Sequence, residues 1–403
     1  MEKWKEYKIK DVTSILGDGI HGTPKYDENG SVFFINGNNL ENGKIVIREN
    51  TKRVSFEEAA KHQKPLNDRT IFVSINGTLG NVARYNGEPC ILGKSACYFN
   101  VKEEFDIDFI YYVVANNEFR KEIERLATGT TIKNVSLETM RNYIFFAPSR
   151  LEQKKVASIL KSLDDKIENN RRINENLEQQ AQALFKSWLV DFEPFKNQPF
   201  VESELGMIPH GWSIDNIYKY VDVIYGAPYK SSLFNEKKEG LPLIRIRDLK
   251  TNSPQVYTSE TLPTTEYIEA GDIVAGMDAE FVPCVWLGER GVLNQRCCKF
   301  KAKNPSISNY YILFLLKPEL EYVQSYKTGT TVSHLGKSDI DRFRFITPPI
   351  DVIIPFSRRV DALLKEKVAI AQESRCLAEL RDTLLPRLMS GELKVNDLEN
   401  NEI

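Results

Sequence analysis

The tetrapeptide Thr-Gly-Thr-Thr stands at Thr128–Thr131 and again at Thr328–Thr331, an offset of 200 positions. The same offset links Cys97 to Cys297, Phe145 to Phe345 and Pro148 to Pro348, and it links Leu163, Leu177 and Leu184 to Leu363, Leu377 and Leu384. Upstream the register slips: Trp4 corresponds to Trp212, and "HGTPKY" (His21–Tyr26) to "YGAPYK" (Tyr225–Lys230). So long a period exceeds the ~20–50 residues of a solenoid unit. The chain is therefore a domain built twice, with something attached to each copy.

The attachment is legible by period. Val156, Leu160, Leu163, Ile167, Asn170, Asn174, Leu177, Ala181, Leu184 and Trp188 alternate steps of four and three, a heptad seam. Phe356, Val360, Leu363, Lys367, Ile370, Ser374, Leu377, Arg381, Leu384 and Leu388 repeat it in the second copy. The residues between are charged or amide-bearing and, in the first copy, free of Gly and Pro, as an exposed long helix requires. Ser149 and Glu152 form a capping box at the first helix's start, and Pro194 bounds its far end. Pro355 is expected in the first turn of the second helix, and Gly391 at its end. Two matched helices in one chain are expected to pair with each other. Polar entries in the seam cost stability but fix register.

Before each helix the pattern changes. "SVFFINGNNL", "NGKIVIREN" and "RTIFVSINGTLGNVARY" are short apolar or alternating runs broken by Asn-Gly and Gly, which predict strands and turns. Asp108–Ala127 then reads as one helix, with Gly129 as a helix-ending residue of positive φ. The fold class is α+β.

Composition excludes more than it assigns. Apolar residues at 41% and charged residues at 27% suit a water-soluble globular chain. The longest apolar run, Tyr310–Leu316, falls far short of the ~20 residues of a membrane span. The opening "MEKWKEYKIK" has no apolar signal core, and six cysteines without a C-x-x-C pair suggest reduced thiols, hence a cytoplasmic protein. Net charge is −2, so any grip on nucleic acid needs local clusters or a basic partner. "LGKSA" (Leu92–Ala96) and "LGKSD" (Leu335–Asp339) fail as phosphate loops, because Glu88 and Thr331 stand where the first glycine belongs. The four histidines are scattered and form no H-E-x-x-H, so no metal site is expected. No G-x-G-x-x-G or G-x-S-x-G occurs, nor the Asn/Asp-Pro-Pro-aromatic tetrapeptide of amino-methyltransferases. No catalytic residues are assigned.

At this point "TGTTIKNVSL", "PSRLEQKKVASIL", "LEQQAQALFKSWLVDFEPF", "ELGMIPHGWSI" and "LRDTLLPRLMSGEL" carry a resemblance through nearly the whole chain. The sequence resembles a specificity subunit of type I restriction–modification systems. "FKSWLVDF" followed by "IPHGW" is the most specific pair; "DVIIPF" (Asp351–Phe356), standing where the first copy has "LEQKK", is a departure. The resemblance implies two similar α/β target-recognition domains, each reading one half of a split double-stranded DNA sequence. The two long helices would form an antiparallel coiled coil holding them apart, an internal pseudo-twofold duplication. Expected boundaries are 1–148 and 194–347 (with an N-terminal linker) for the recognition domains, 149–193 and 348–393 for the spacer helices, and 394–403 for a polar tail. Two methyltransferase subunits and restriction/translocase subunits would join the chain. S-adenosylmethionine, ATP and Mg2+ would sit on those partners, with no cofactor on this chain and no membrane contact. The rival reading is a coiled-coil scaffold tethering two domains for ligands other than DNA; an autonomous nuclease or methyltransferase is a weaker third.

Base edges are read by Arg, Lys, Asn and Gln on strand ends and loops. Candidates in the first copy are Lys25, Asn36, Asn38, Asn39, Asn76 and Thr78; in the second, Tyr229, Lys230, Arg245, Arg247 and Asp248. Against this, Asn-Gly pairs also make hairpin turns. "RCCKFKAK" (Arg296–Lys303) reads as a phosphate-facing strand rather than a base reader. The coiled-coil seam rests on Leu160, Leu163, Ile167, Leu177 and Leu184 with Val360, Leu363, Ile370, Leu377 and Leu384.

Overall fold

The computed structural model of the chain describes residues 4–129, 132–327 and 333–395. The second Thr-Gly-Thr-Thr and the last two residues of the first lie outside the described residues. The chain divides into two compact units, Met1–Asp165 with Leu377–Ile403, and Lys166–Cys376. Both divisions fall inside the long helices.

Unit one is built on a four-stranded antiparallel sheet in the order Thr13–Asp18, Ala96–Val101, Thr70–Ser74, Val82–Arg84. The strand Ala96–Val101 has neighbours on both sides and is buried at every residue, so "ACYFNV" is nearly continuous rather than alternating. A smaller sheet joins Val32–Ile35 in parallel to Cys90–Leu92 and antiparallel to Arg53–Val54. Lys5–Lys8 closes the unit against Ile144–Ala147. The stretch Asp108–Ala127 forms two helices, Ile107–Ala115 and Asn117–Leu126, rather than the one expected. Asn116 is extended, and its side chain accepts from the Glu118 amide, so it caps a second helix instead of continuing the first. Gly129 has φ +96°, but the helix has already ended at Leu126; the glycine serves a loop in which Thr128 and Asn134 bond backbone to backbone.

Unit two repeats the plan. Its four-stranded sheet runs Val221–Tyr225, Cys297–Ala302, Ile273–Gly276, Cys284–Val285, and Leu241–Ile244 pairs in parallel with Gly291–Leu293. Ser213–Asn216 pairs with Arg344–Thr347, which places Trp212 as Trp4 is placed, just before the closing strand. One sequence match is off by a residue. Gly19 bonds to the carbonyl of Ala96 and Gly226 to that of Cys297, so Cys97 corresponds to Cys298. Both of these thiols are fully buried, and burial pushes each up to about 12. Here the helix Asn309–Lys327 is unbroken, with Pro318 inside it.

The long helices span Arg150–Phe185 and Ile350–Met389. The first continues into a single π turn, Lys186–Val190. Every seam position named above is buried or half-buried. In unit one Val156, Ala157 and Leu160 share a core with Leu384, Leu388 and Met389; in unit two Ala181, Leu184 and Trp188 share one with Phe356, Val360 and Leu363. In each unit the start of one helix thus meets the end of the other, the antiparallel pairing expected. Pro355 is the sixth residue of its helix, one turn later than expected, and Gly391 (φ +75°) follows the helix end.

Candidate nucleic-acid interface

Gly19 and Gly226 begin equivalent loops. A Cβ on Gly19 would lie 2.2 Å from the Leu92 carbonyl oxygen, and one on Gly226 would lie 2.1 Å from that of Asn294. No other residue fits so close to a neighbouring backbone. Gly22, which the sequence match aligned with Gly226, has open space around it, so the match is three residues out at this glycine. Beyond the loop the lysines come into step: the Lys25 amide donates to Glu58 Oε1 (3.0 Å) and the Lys230 amide to Glu260 Oε2 (2.8 Å). Hydrogen bonds from Lys61 and from the Lys25 amide hold the Glu58 carboxyl down to about 2. Both lysine side chains are exposed, whereas Tyr229 is buried and its hydroxyl lies 3.1 Å from Thr265 Oγ1.

"NGNN" and "RIRD" occupy one structural position. The Asn36 amide donates to Asn39 Oδ1 (3.0 Å) and the Arg245 amide to Asp248 Oδ2 (3.0 Å), each closing a short helical turn. Asn39 and Asp248 are buried in that work. Asn36 Oδ1 accepts from Ser95 Oγ (2.9 Å), and Arg245 Nε donates to Asp248 (3.2 Å). Between these partners, Asn38 and Arg247 point outward and are exposed. In unit one the turn borders a cleft of about 400 Å3 lined by Tyr26, Asn38, Arg48, Asn50 and Lys52 among others. The Lys52 ammonium stands 5.9 Å from the centre of the Tyr26 ring.

The loop after the central strand gives a third matched place. The Ile75 amide bonds to the Ser95 carbonyl and the Val135 amide to the Ile75 carbonyl; Met277, Arg296 and Leu335 repeat the arrangement. Gly77 and Ala279 both take positive φ there, +77° and +59°. Asn76, Ser95 and Asn134 in unit one therefore correspond to Asp278, Arg296 and His334 in unit two. Asn76 Nδ2 donates to Asn134 Oδ1 (3.1 Å), and Thr78 beside it is exposed. Asp278 takes an ion pair from Arg296 Nη1 and lies 2.7 Å from His334 Nδ1. Burial works to raise the Asp278 carboxyl, but the hydrogen bonds from Arg296 and His334 outweigh it and hold it below the usual carboxylate range.

Sequence reasoning missed Ser95 and His334 as members of this surface, and it placed Arg296 in a phosphate-facing strand rather than against Asp278. The available signal was position: Ser95 and Arg296 stand just before the buried central strand. The strand "RCCKFKAK" is also less of a phosphate stripe than expected, since Lys299 is nearly buried and paired with Asp272 at 2.6 Å. Among the described residues no cluster of three metal-ligating side chains occurs, and no helix is long and apolar enough to cross a membrane.

The profile described as "Type I restriction modification DNA specificity domain" matches residues 1–179 and 221–367, once over each copy. The chain belongs to the type I restriction-modification DNA specificity family. It is 27% identical to the MjaIX specificity subunit of Methanocaldococcus jannaschii, over 98% of this chain and 94% of the relative. It is 22% identical to the HindI specificity subunit of Haemophilus influenzae, over 98% and 100%. Among solved structures, the S subunit from M. genitalium superposes with a TM-score of 0.55 at 17% identity, covering 96% of both chains, a likeness of fold. For a specificity-family chain, the three matched places are the surface of interest. They are polar positions that one scaffold presents twice, with lysine in both copies at the first and different side chains at the other two.

Proposed function

We propose that this chain reads a bipartite DNA target for a type I complex, one unit per half-site, and recruits the methyltransferase and restriction subunits. The chain itself would be non-catalytic, with S-adenosylmethionine, ATP and Mg2+ held by those partners. The observation that carries this reading is the pairing of Lys25 with Lys230, Asn38 with Arg247, and Asn76 with Asp278. Each pair rests on the same backbone hydrogen bonds, yet two of the three differ in donors and acceptors. One frame with two different polar faces is what reading two different half-sites requires. Phosphate contacts from the partners would supply grip that a net charge of −2 does not. The test is a map of N6-methyladenine in host DNA with the gene intact and deleted. One split motif should lose its methylation on deletion; an unchanged map would favour a scaffold unconnected with DNA.

A further inference from the structure

Arg296 is 62% exposed, and its guanidinium is aimed by Asp278, whose side chain is only 16% exposed. Asp278 is fixed in turn. Its neighbour Met277 donates to the Arg296 carbonyl (2.8 Å) and accepts from Leu335 (2.7 Å), and His334 lies against its second carboxylate oxygen. Among the described residues no other side chain engages the guanidinium. A planar fork held through Nη1 on a side chain that is otherwise largely exposed is pre-organised for a planar pair of acceptors. A phosphate would meet the Asp278 carboxylate beside it and be repelled. A guanine edge offers two acceptors, O6 and N7, without a net charge. The equivalent place in unit one holds Ser95, Asn76 and Asn134, which carry no charge.

We infer that Arg296 reads a guanine in the half-site recognised by unit two, with Asp278 as its positioning residue. This rests on the DNA-reading function proposed above. The experiment uses the full chain with its methyltransferase subunit, methylating a library randomised at each position of the wild-type motif. Arg296→Gln should lower the preference for guanine at one position of one half-site by roughly 5- to 150-fold, the discrimination of one bidentate pair. Every other position should be unchanged. Arg296→Lys, which keeps the charge but loses the fork, and Asp278→Asn should relax the same position. A motif retained by all three variants would overturn the inference, even if thermal stability fell. So would a uniform loss for every sequence with a salt dependence shallower by about one, the mark of a phosphate contact. A wild-type complex that methylates without sequence preference would instead sink the DNA-reading function itself.

Discussion

Arg247 and Asp248 are adjacent and were equal candidates in the sequence, yet the fold gives them opposite tasks. Asp248 is buried and closes the turn through the Arg245 amide and guanidinium, whereas Arg247 is exposed. Asp248→Ala leaves a buried amide without its acceptor, a loss of about 1–3 kcal/mol, read as a fall of several degrees in Tm. Arg247→Ala should leave Tm unmoved and relax one position of the unit-two half-site in the methylated motif. An unchanged motif for Arg247→Ala, or an unchanged Tm for Asp248→Ala, would reverse these assignments. The sequence shows that "NGNN" and "RIRD" are polar turns but not which residue faces inward, because Asn and Asp serve equally as turn acceptors and as base readers. The duplication resolves the question only once backbone hydrogen bonds align the two stretches, since loops of unequal length hide that alignment upstream. Arg296 was legible as a cation and not as a reader, because its partner Asp278 is 18 residues away.

At the scale of elements, the long helices were legible because apolar residues recur every three or four positions over roughly ten turns in each copy. Their polar contacts were less so. In unit two, Asn170 Nδ2 donates to Glu373 Oε2 (2.7 Å), and Lys367 forms an ion pair with Glu178. In unit one, Arg381 meets Asp164 (2.7 Å), which also accepts from the Tyr112 hydroxyl (2.7 Å). The counterparts of Asp164, Glu178, Lys367 and Arg381 at the offset of 200 are Leu364, Ala378, Ile167 and Ala181, none of them charged. At these two pairs the copies have therefore become complementary rather than equivalent, with the acid on the first helix and the base on the second, while Lys166 and Glu373 (3.3 Å) pair in the opposite sense. Two first helices paired antiparallel would place Glu178 beside Ile167 and Asp164 beside Ala181, leaving acids unpaired at an apolar seam. Such pairs specify partners more than they add stability. Lys367→Glu should destabilise the chain by about 2 kcal/mol, reduced from the full buried value because Glu178 is 38% exposed. Adding Glu178→Lys should recover most of that loss in thermal unfolding. Double and single variants of equal Tm would mean that the pair has no specifying role.

For the whole molecule the proposed function makes the helices a ruler, so their length must show in the unread gap between half-sites. One heptad is seven residues and adds about 10.5 Å of helix. Base pairs stack at about 3.4 Å, so a heptad inserted in both helices, near Asn170 and near Ile370, lengthens the gap by up to roughly three base pairs. A whole heptad keeps Leu163, Ile167, Leu177 and their counterparts on the seam, whereas four residues would turn the apolar stripe away. Three base pairs also rotate one half-site by about 100° around the DNA axis, at ~10.5 base pairs per turn. Twisting of the DNA and rotation of the readers about its axis can absorb part of that change, so the gap lengthens by up to roughly three base pairs. The half-site sequences should not change, because no residue of the matched loops is touched. Methylation of a library in which only the gap varies gives the answer directly. A folded and active double insertion that keeps the original gap would show that the helices do not measure it. An insertion in one helix alone breaks the pairing of Lys367 with Glu178 or of Arg381 with Asp164, and should lower Tm before it alters the gap.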